Sequence, residues 1–495
     1  MFLPKVLPKV LRLLTVSAIV FLSLNIGLAQ QKLGDLKIVP YVFESSKKER
    51  VDAELGRLLV PENRSNPQSK LIELAFVRFK STSQHPGSPI IYLSGGPGNS
   101  GIQQAQGSRF PLFMAMRQIA DVIALDQRGT GMSKPNLTCS QPLDFPLDEP
   151  LTRDSLLRIY KEQSRACAQR WQSEGVDLRG YNTNESADDL ESLRIAIGAP
   201  KISLWGISYG THLGLAAIRR HGQNIDRAIL AGIEGPDHTD KLPSNYRKHL
   251  EMVNQLVKAD ADLSKTIPDF MGLVNSVIAR LDKEPAVIEV KDPSTRQTVK
   301  VIISGFLFRQ LLDNLYGTDT LPYSPYIFFS ASKGDYSIIT YLLFQSRSSI
   351  GSAMAFMMDC SSGVSRARYR REQRENGDLL FSDINFPFME VCEAWGNPDL
   401  GKTFRSPIKS KVPVLFISGT LDAKTPPSNA KEIKRGFPKG LHLIIDGATH
   451  SDPLFLSSPK IKDAMLEFMN GGRVSTTRIT LPPMKFVMRN PLETR

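Results

Sequence analysis

The 495-residue sequence lacks the residue patterns that mark metalloproteins and membrane proteins. Its four cysteines include no CxxC pair and no Cys/His cluster, which excludes zinc sites built on such motifs. After residue 29, no apolar run reaches the ~20 residues that a membrane-spanning helix needs. We therefore expect no metal, no cofactor and no membrane span once the amino-terminal segment is removed.

Residues 1–29 have the pattern of a cleavable secretory signal peptide. Three basic residues precede an apolar run over 13–28, and small residues close this run near Ala29. Because the run is shorter than the ~20 residues of a spanning helix, cleavage near Ala29 is favoured over a membrane anchor. We expect the protein to be exported, as a periplasmic or secreted protein.

The overall composition is that of a well-packed globular protein, with 41% hydrophobic and 23% charged residues. The formal net charge is +12, or +9 without the three basic residues of the signal segment. We interpret this excess as a solvated basic surface, and attraction to anionic envelope components is the alternative. An exported chain is not expected to bind nucleic acid, and the sequence does not define the oligomeric state.

Export also changes how the cysteines are interpreted, because an oxidising compartment favours disulfides over free thiols. Cys139, Cys167, Cys360 and Cys392 all follow the signal segment and allow three pairings. Sequence proximity favours Cys139–Cys167 together with Cys360–Cys392.

Short apolar runs alternate with helical patterns in two parts of the chain. The predicted strands lie at 88–96, 120–129, 201–205, 226–233, 412–419 and 441–447. A helix is predicted over 186–200, with Ser186 and Asp189 as its capping box. The alternation predicts an α/β class fold with a mostly parallel sheet and helices on both faces.

The alternation stops between these two parts, where helical patterns such as 305–316 are broken by polar connectors. We predict a core formed by 30–235 and 408–470, interrupted by an inserted, mainly helical lid domain at 236–407. Because the insertion interrupts the sheet, it should lie above the carboxyl edge of the strands, where ligands bind in open α/β sheets. The basic tail 471–495 has no assigned role.

The stretch WGISYGTHLG places Ser208 between Gly206 and Gly210 at GxSxG spacing. A five-residue match also occurs by chance, so its surroundings must decide its meaning. Ser208 follows a predicted strand and precedes a predicted helix, which is the setting of a nucleophile elbow. Ser208 is therefore the predicted nucleophile.

A serine nucleophile needs a base and an acid that orients the base. His450 follows a strand in a Gly/Ala/Thr loop and is the best candidate among the seven histidines, whereas His212 lies on a helix and suits packing. Asp422 follows the preceding strand and is the predicted acid. Asp446 is the rival acid, although its place in a strand end suits a structural role better.

The oxyanion hole needs backbone N–H groups that point at the developing charge. One is predicted at Tyr209, directly after the nucleophile. The other should come from the glycine-rich loop SGGPGNSG, where Pro97 has no N–H, so that Gly95 or Gly96 must supply it. As a phosphate-binding loop this stretch fits poorly, because it contains neither GxGxxG nor GK[ST].

The motifs GGPG, DQRGTGMS, GISYG, GTLDAKTPP and GATH, in this order, resemble the prolyl aminopeptidase and tripeptidyl aminopeptidase branch of the α/β-hydrolases. The resemblance implies an α/β-hydrolase fold with Ser208, Asp422 and His450 as the triad and Gly96 with Tyr209 in the oxyanion hole. Prolyl aminopeptidases usually have histidine before the paired glycines, and here that residue is Ser94. The lid, which sets substrate choice, matches only loosely.

An aminopeptidase must also bind a cationic amino terminus, for which buried carboxylates are suited. In the related enzymes these acids come from the inserted domain or from the loop leading into it. Glu234, Asp359 and Glu393 are the candidates here, and an ordinary surface or ion-paired role is the alternative for each.

The sequence thus predicts an exported serine hydrolase that removes residues from peptide amino termini through an acyl-enzyme, with a small peptide or acyl compound as substrate. An esterase, or a hydrolase of another acyl compound, would use the same triad. A hydrolase fold retained only as a binding module is the non-enzymatic alternative.

Overall fold

The computed structural model describes residues 32–312, 317–377, 380–381 and 383–492. Leu33–Arg495 forms one compact unit. The predicted signal segment 1–29 lies outside the described residues, as do residues 313–316 of the helix predicted over 305–316.

A ten-stranded sheet forms the centre of the fold, with the order β1-β2-β3-β5-β4-β7-β8-β12-β13-β14. The strands are β1 (Leu36–Glu44), β2 (Arg50–Pro61), β3 (Leu71–Phe79), β4 (Ile90–Leu93), β5 (Val122–Asp126), β6 (Thr138–Cys139), β7 (Ile202–Ser208), β8 (Ile225–Ile233), β9 (Ala286–Lys291), β10 (Thr298–Ile303), β11 (Gly351–Ser352), β12 (Val414–Gly419), β13 (Gly440–Asp446) and β14 (Arg478–Thr480). Strands β1, β2, β3 and β5 pair antiparallel in that order. From β5 to β14 all neighbours are parallel.

The central strands are buried because nearly all of their residues are apolar, as expected for parallel strands covered on both faces. Every residue of β4, β5 and β12 is buried. Successive residues of β4 pack into two different cores, with Ile90 and Tyr92 in one and Ile91 and Leu93 in the other. The six predicted strands are all present, and the predicted fold class is confirmed. The antiparallel strands β1, β2 and β3 were not predicted.

Helices cover both faces of this sheet and fill the long connection between β8 and β12. The helices before the connection are α1 (Gly101–Gln106), α2 (Phe110–Met116), α3 (Arg153–Ser173), α4 (Thr183–Ala196) and α5 (Tyr209–His221). Those within it are α6 (Pro243–Ala259), α7 (Leu263–Thr266), α8 (Phe270–Lys283), α9 (Gly305–Leu312), α10 (Ser324–Ser332), α11 (Ser337–Ser346), α12 (Ala353–Ser362), α13 (Arg366–Glu375), α14 (Phe388–Val391) and α15 (Gly401–Arg405). After it come α16 (Pro427–Lys434), α17 (Pro453–Leu456) and α18 (Pro459–Met469). Within the described part of the chain, no helix has the length and apolar character needed to cross a membrane.

The predicted capping box of α4 is wrong. The helix begins three residues earlier than predicted, and the Asn182 side chain caps it by accepting a hydrogen bond from the Glu185 N–H. Asp189 instead faces the core, where it accepts hydrogen bonds from Arg128 at 2.6 and 2.7 Å and from Arg64 at 2.8 Å. Buried arginines need such partners, and this need determines the orientation of the helix.

The connection between β8 and β12 is mainly helical and carries most of a third hydrophobic cluster, to which α3 also contributes. It also contains an antiparallel hairpin of β9 and β10, which the sequence did not predict. Strand β11 pairs with β6 and so ties the connection to the first part of the chain. The boundaries of a separate lid domain at 236–407 stay a prediction.

Two disulfides join segments that are close in the sequence. Cys139 is bonded to Cys167 and Cys360 to Cys392. This is the pairing that sequence proximity favours. The first bond attaches β6 to α3, and the second attaches α12 to the residues just after α14.

The described part of the tail, residues 471–492, connects the sheet to the inserted segment. Its strand β14 adds to β13 at the edge of the sheet. Farther along, the Val487 N–H donates to the Pro322 carbonyl at 2.9 Å, and the Asn490 amide donates to the Ser337 hydroxyl at 3.3 Å.

We expect both disulfides to be intact in protein that is purified without reductant from the periplasm or the medium, because these compartments are oxidising. Alkylation of the denatured, unreduced protein followed by mass spectrometry should modify none of the four cysteines. Alkylation after reduction is the control and should modify all four. Four modified thiols without reduction would contradict the prediction.

Candidate active site

Ser208 lies in a tight turn between β7 and α5. Its backbone has φ 55° and ψ −128°, a strained conformation for a residue with a side chain. A Cβ added at Gly210 would lie 2.0 Å from the Leu93 carbonyl oxygen, and one at Gly206 would lie 2.6 Å from the Gly210 carbonyl oxygen. Both glycines of GxSxG are therefore required by close backbone contacts, which supports the predicted nucleophile elbow.

The predicted acid and base are hydrogen-bonded to each other. His450 Nδ1 lies 2.8 Å from Asp422 Oδ2. The Thr425 N–H donates to Asp422 Oδ1 at 2.8 Å, and its hydroxyl donates to Oδ2 at 2.5 Å. Burial alone would raise the pKa of Asp422, but His450 and the Thr425 hydrogen bonds outweigh burial and lower it. Asp422 is thus ionised at neutral pH and able to orient the imidazole.

The rival acid Asp446 has a structural role. Its carboxylate forms an ion pair with Arg478 through contacts of 2.6 and 2.7 Å, which join β13 to β14. The helical His212 is buried, with its ring nitrogens 3.0 Å from the Gly235 carbonyl and the Ser362 hydroxyl. Both residues therefore have the packing roles that the sequence favoured for them.

The imidazole of His450 lies at the end of β8, beside the nucleophile strand. Ser208 pairs with Ile233 across β7 and β8. A Cβ at the preceding Gly232 would lie 3.2 Å from His450 Cε1 and 2.9 Å from the Thr425 hydroxyl. Among the residues that the structure describes, no hydrogen bond joins Ser208 to His450. Such bonds are often long in unliganded enzymes and shorten when substrate binds.

The predicted oxyanion loop packs directly against Ser208. A Cβ at Gly95 would lie 3.0 Å from Ser208 Cβ, and Gly96 lines the same cavity as Ser208. Gln127 holds the loop from behind, where its amide donates to the Ser94 carbonyl at 3.1 Å. Tyr209 begins α5 directly after Ser208. Gly95, Gly96 and Tyr209 are thus close to Ser208.

Ser208 lies in a cavity of about 220 Å³ whose wall is rich in carboxyl groups. Two of the three predicted acids, Glu234 and Asp359, line it. The third, Glu393, is exposed and is not part of this lining. The prediction for Glu393 was therefore wrong, because its neighbour Cys392 carries the disulfide inward while the Glu393 side chain faces solvent.

The two lining acids have opposite ionisation preferences. Burial would raise the pKa of Glu234, but the Lys241 ammonium at 2.8 Å, together with His212, outweighs burial and lowers it. Burial and the charge of Glu234 raise the pKa of Asp359 well above its ordinary value. The ionised form of Glu234 is therefore stabilised by its ion pair, whereas the protonated form of Asp359 is favoured.

The sequence did not predict two charged residues of this wall and a third that lies behind it. Asp240 and Lys241 line the cavity, and Glu372 on α13 lies behind Asp240. Burial and the neighbouring Glu372 raise the pKa of Asp240 to about 7. Glu372 is the buried residue of the arginine-rich helix RARYRREQRE, whose sequence carries no pattern that singles it out. Within the described residues, no three potential ligands are arranged as a metal site.

Gly232→Ala should lower kcat for a short-chain ester at least about tenfold, because the added methyl group would contact Thr425 and the His450 ring and displace the base. Steady-state kinetics checks this expectation.

Gly198→Ala is the matched control. Gly198 also has a positive φ, 69° against 60° for Gly232, but a Cβ there meets no atom within 4 Å. Both variants share the backbone strain and only Gly232→Ala has the contact. Equal kinetic losses in the two variants would contradict the assignment.

A family model described as the alpha/beta hydrolase fold matches residues 88–455. The chain is 24% identical over 477 residues to a tripeptidyl aminopeptidase of Streptomyces lividans, covering 87% of this chain and 84% of that protein. It is 30% identical over 199 residues to the serine protease Hip1 of Mycobacterium tuberculosis (strain ATCC 25618 / H37Rv), covering 39% and 38%. It is 25% identical over 147 residues to a probable proline iminopeptidase of Streptomyces coelicolor, covering 30% and 33%. The resemblance inferred from the sequence motifs is confirmed: the chain is a hydrolase and belongs to the alpha/beta hydrolase fold family.

Proposed function

We propose that the protein is an exported serine aminopeptidase that cleaves residues from the free amino termini of peptides through an acyl-enzyme. Ser208 is the nucleophile, His450 the general base and Asp422 the group that orients His450. The 2.8 Å contact between His450 and Asp422 supports these roles. The similarity to a tripeptidyl aminopeptidase supports a peptide as substrate.

The reaction follows from these positions. The Ser208 oxygen attacks the scissile carbonyl carbon while His450 takes the hydroxyl proton. The resulting oxyanion accepts hydrogen bonds from the backbone N–H groups of Tyr209 and of Gly95 or Gly96. When the C–N bond breaks, His450 returns the proton to the leaving amine. Water then hydrolyses the Ser208 ester by the same route.

The buried carboxyl groups beside Ser208 favour an aminopeptidase over an esterase, because they outnumber the cations bonded to them. Glu234, Asp240, Asp359 and Glu372 lie in or directly behind the cavity wall, and Lys241 is the cation bonded to one of them. A second lysine, Lys424, also lines the cavity. A substrate ammonium would supply the positive charge that lets the remaining carboxyl groups ionise.

The charge pairing assigns different roles to these acids. Glu234 already has the Lys241 ammonium as its partner. Asp359 and Asp240 have raised pKa values, so each gains most from an added cation. Within the described residues, the buried Asp240 Oδ2 also has no hydrogen-bond partner. Asp359 and Asp240 are therefore the proposed anchors of the amino terminus.

Export is part of the proposal. Two disulfides in the folded chain are typical of proteins that function in an oxidising compartment. The predicted signal segment supports the same location.

A panel of reporters tests the proposal. Wild-type protein should hydrolyse free-amine peptide reporters with a kcat/KM at least about 30-fold above that of their N-acetylated forms, because acetylation removes the charge that the carboxyl groups bind. Steady-state kinetics on both forms, and on a short-chain ester, provides the comparison.

Ser208→Ala is the control for the nucleophile and should lower kcat by about 10⁴–10⁶-fold on every reporter. Equal activity on free and acetylated peptides would contradict the aminopeptidase and favour an esterase. A failure of Ser208 to react with a fluorophosphonate would instead favour a binding module.

The KM for a free-amine peptide should fall as the pH rises through about 7, the pKa of Asp240. Above this pH the carboxyl pair of Asp240 and Glu372 carries one more negative charge, and the nearby Arg368 guanidinium keeps its charge. Binding should weaken again above about pH 8, where the substrate amine loses its proton. Measuring KM from pH 5.5 to 9 checks both limits.

Asp240→Asn is the control, because it removes this titration and keeps the shape of the side chain. The variant should have a higher KM at pH 8 and no decrease in KM through pH 7. The ester should show neither effect in either protein. A decrease in KM that persists in Asp240→Asn would assign the titration to another group.

A further inference from the structure

A second cavity, of about 240 Å³, adjoins the catalytic cavity. Ile384 and Phe388 both line the two cavities, so these two residues lie between them. The remaining walls of the second cavity come mainly from α3, α9 and the end of α11. The proposed chemistry takes place wholly in the first cavity, and the second has no assigned role.

The segment 383–388, which we name the partition, separates the two cavities and is anchored on both sides. On the catalytic side, Asn385 and Lys241 exchange hydrogen bonds of 2.7 and 3.0 Å through the backbone of Lys241. On the other side, Arg153 donates to Asp383 at 2.9 Å and lies 5.1 Å from the Phe386 ring centroid. The partition is thus held in place by contacts on both of its sides, and it keeps the two cavities apart.

Seven of the eleven residues that line the second cavity are apolar or aromatic, and the lining has no net excess of charge. Leu156, Leu311 and the edge-to-face pair of Tyr160 and Phe386 supply apolar surface. Its two charged residues already have partners, because Asp383 pairs with Arg153 and Arg309 pairs with Asp282 at 2.8 Å. Such a lining favours an uncharged, apolar group over a charged one.

Two polar groups in this lining are available to a ligand. The buried Arg309 Nε has no hydrogen-bond partner among the described residues. The Tyr160 hydroxyl likewise makes no hydrogen bond within the described part of the chain, and burial raises the pKa of Tyr160. Buried donors without partners are unfavourable, so an acceptor such as a peptide carbonyl would be stabilised here.

We propose that the second cavity is a subsite that binds the apolar or aromatic side chain of a substrate residue next to the one held in the catalytic cavity, while a peptide carbonyl accepts a hydrogen bond from Arg309 Nε. The proposal rests on the proposed function, since it takes the substrate to be a peptide. In this proposal, the inserted segment selects substrates with a hydrophobic residue near the amino terminus of the peptide.

The test is to fill the cavity without changing the catalytic residues. Gln310 lines the second cavity and is half-buried, and Ser346 lines its rim and is exposed. Gln310→Trp and Ser346→Trp each place an indole at the cavity. Gln345→Trp is the matched control, because Gln345 neighbours Ser346, is exposed and is not part of the lining of either cavity.

The substrates are free-amine tetrapeptide reporters with glycine or phenylalanine at one position at a time, together with a short-chain ester. Wild type should prefer phenylalanine at one position by about 10–100-fold in kcat/KM, the range expected for burying such a side chain. Both cavity-filling variants should reduce that preference to less than about threefold. Activity on the ester should be unchanged, and Gln345→Trp should behave as wild type.

A phenylalanine preference that survives in both cavity-filling variants would overturn the subsite. So would an absence of any preference in wild type, or a loss that is equal for peptides and ester in both variants. Failure of the proposed function has a different result, because N-acetylated tetrapeptides would then be cleaved as fast as free ones. The phenylalanine preference can still be measured on those acetylated peptides.

Discussion

The strained backbone at Ser208 is the constraint on which the rest of the site depends. The turn exists because Gly206 and Gly210 let the chain pass within contact distance of carbonyl oxygens, including that of Leu93. This contact places the start of α5 against β4, and the loop at Gly95 then packs on the serine. The buried sheet holds the turn in place, so the local strain is balanced by the packing of the core.

A second constraint is the balance of charge in the cavity. Four buried carboxyl groups lie near one bonded lysine, and burial and their mutual repulsion oppose the ionisation of all four together. The Lys241 ammonium lowers the pKa of Glu234, whereas burial and the charge of Glu234 raise the pKa of Asp359. The inserted segment supplies Asp240, Asp359 and Glu372, so the same segment that helps to line the Ser208 cavity also supplies the groups suited to the proposed cationic ligand.

Much of the core could be predicted from the sequence, because parallel strands buried on both faces are runs of apolar residues. The elbow and the positions of Asp422 and His450 could be predicted for a related reason, since each directly follows such a strand. Prediction failed where long-range pairing decides the structure. Asp189 was assigned to a helix cap, but it forms ion pairs with the buried Arg128 and with Arg64, which come from distant segments.

The sequence by itself determined the fold class and the more favoured cysteine pairing, and it placed the predicted catalytic residues Ser208, Asp422 and His450 at strand ends, because these features depend on local patterns and on short separations. Only the tertiary structure decided which acids face the nucleophile. Glu393 and Glu372 are both acidic residues in the inserted segment, yet one is exposed and the other is buried behind Asp240. The difference arises from how α13 and the partition pack against the loop after β8, and contacts between such distant segments leave no local pattern in the sequence.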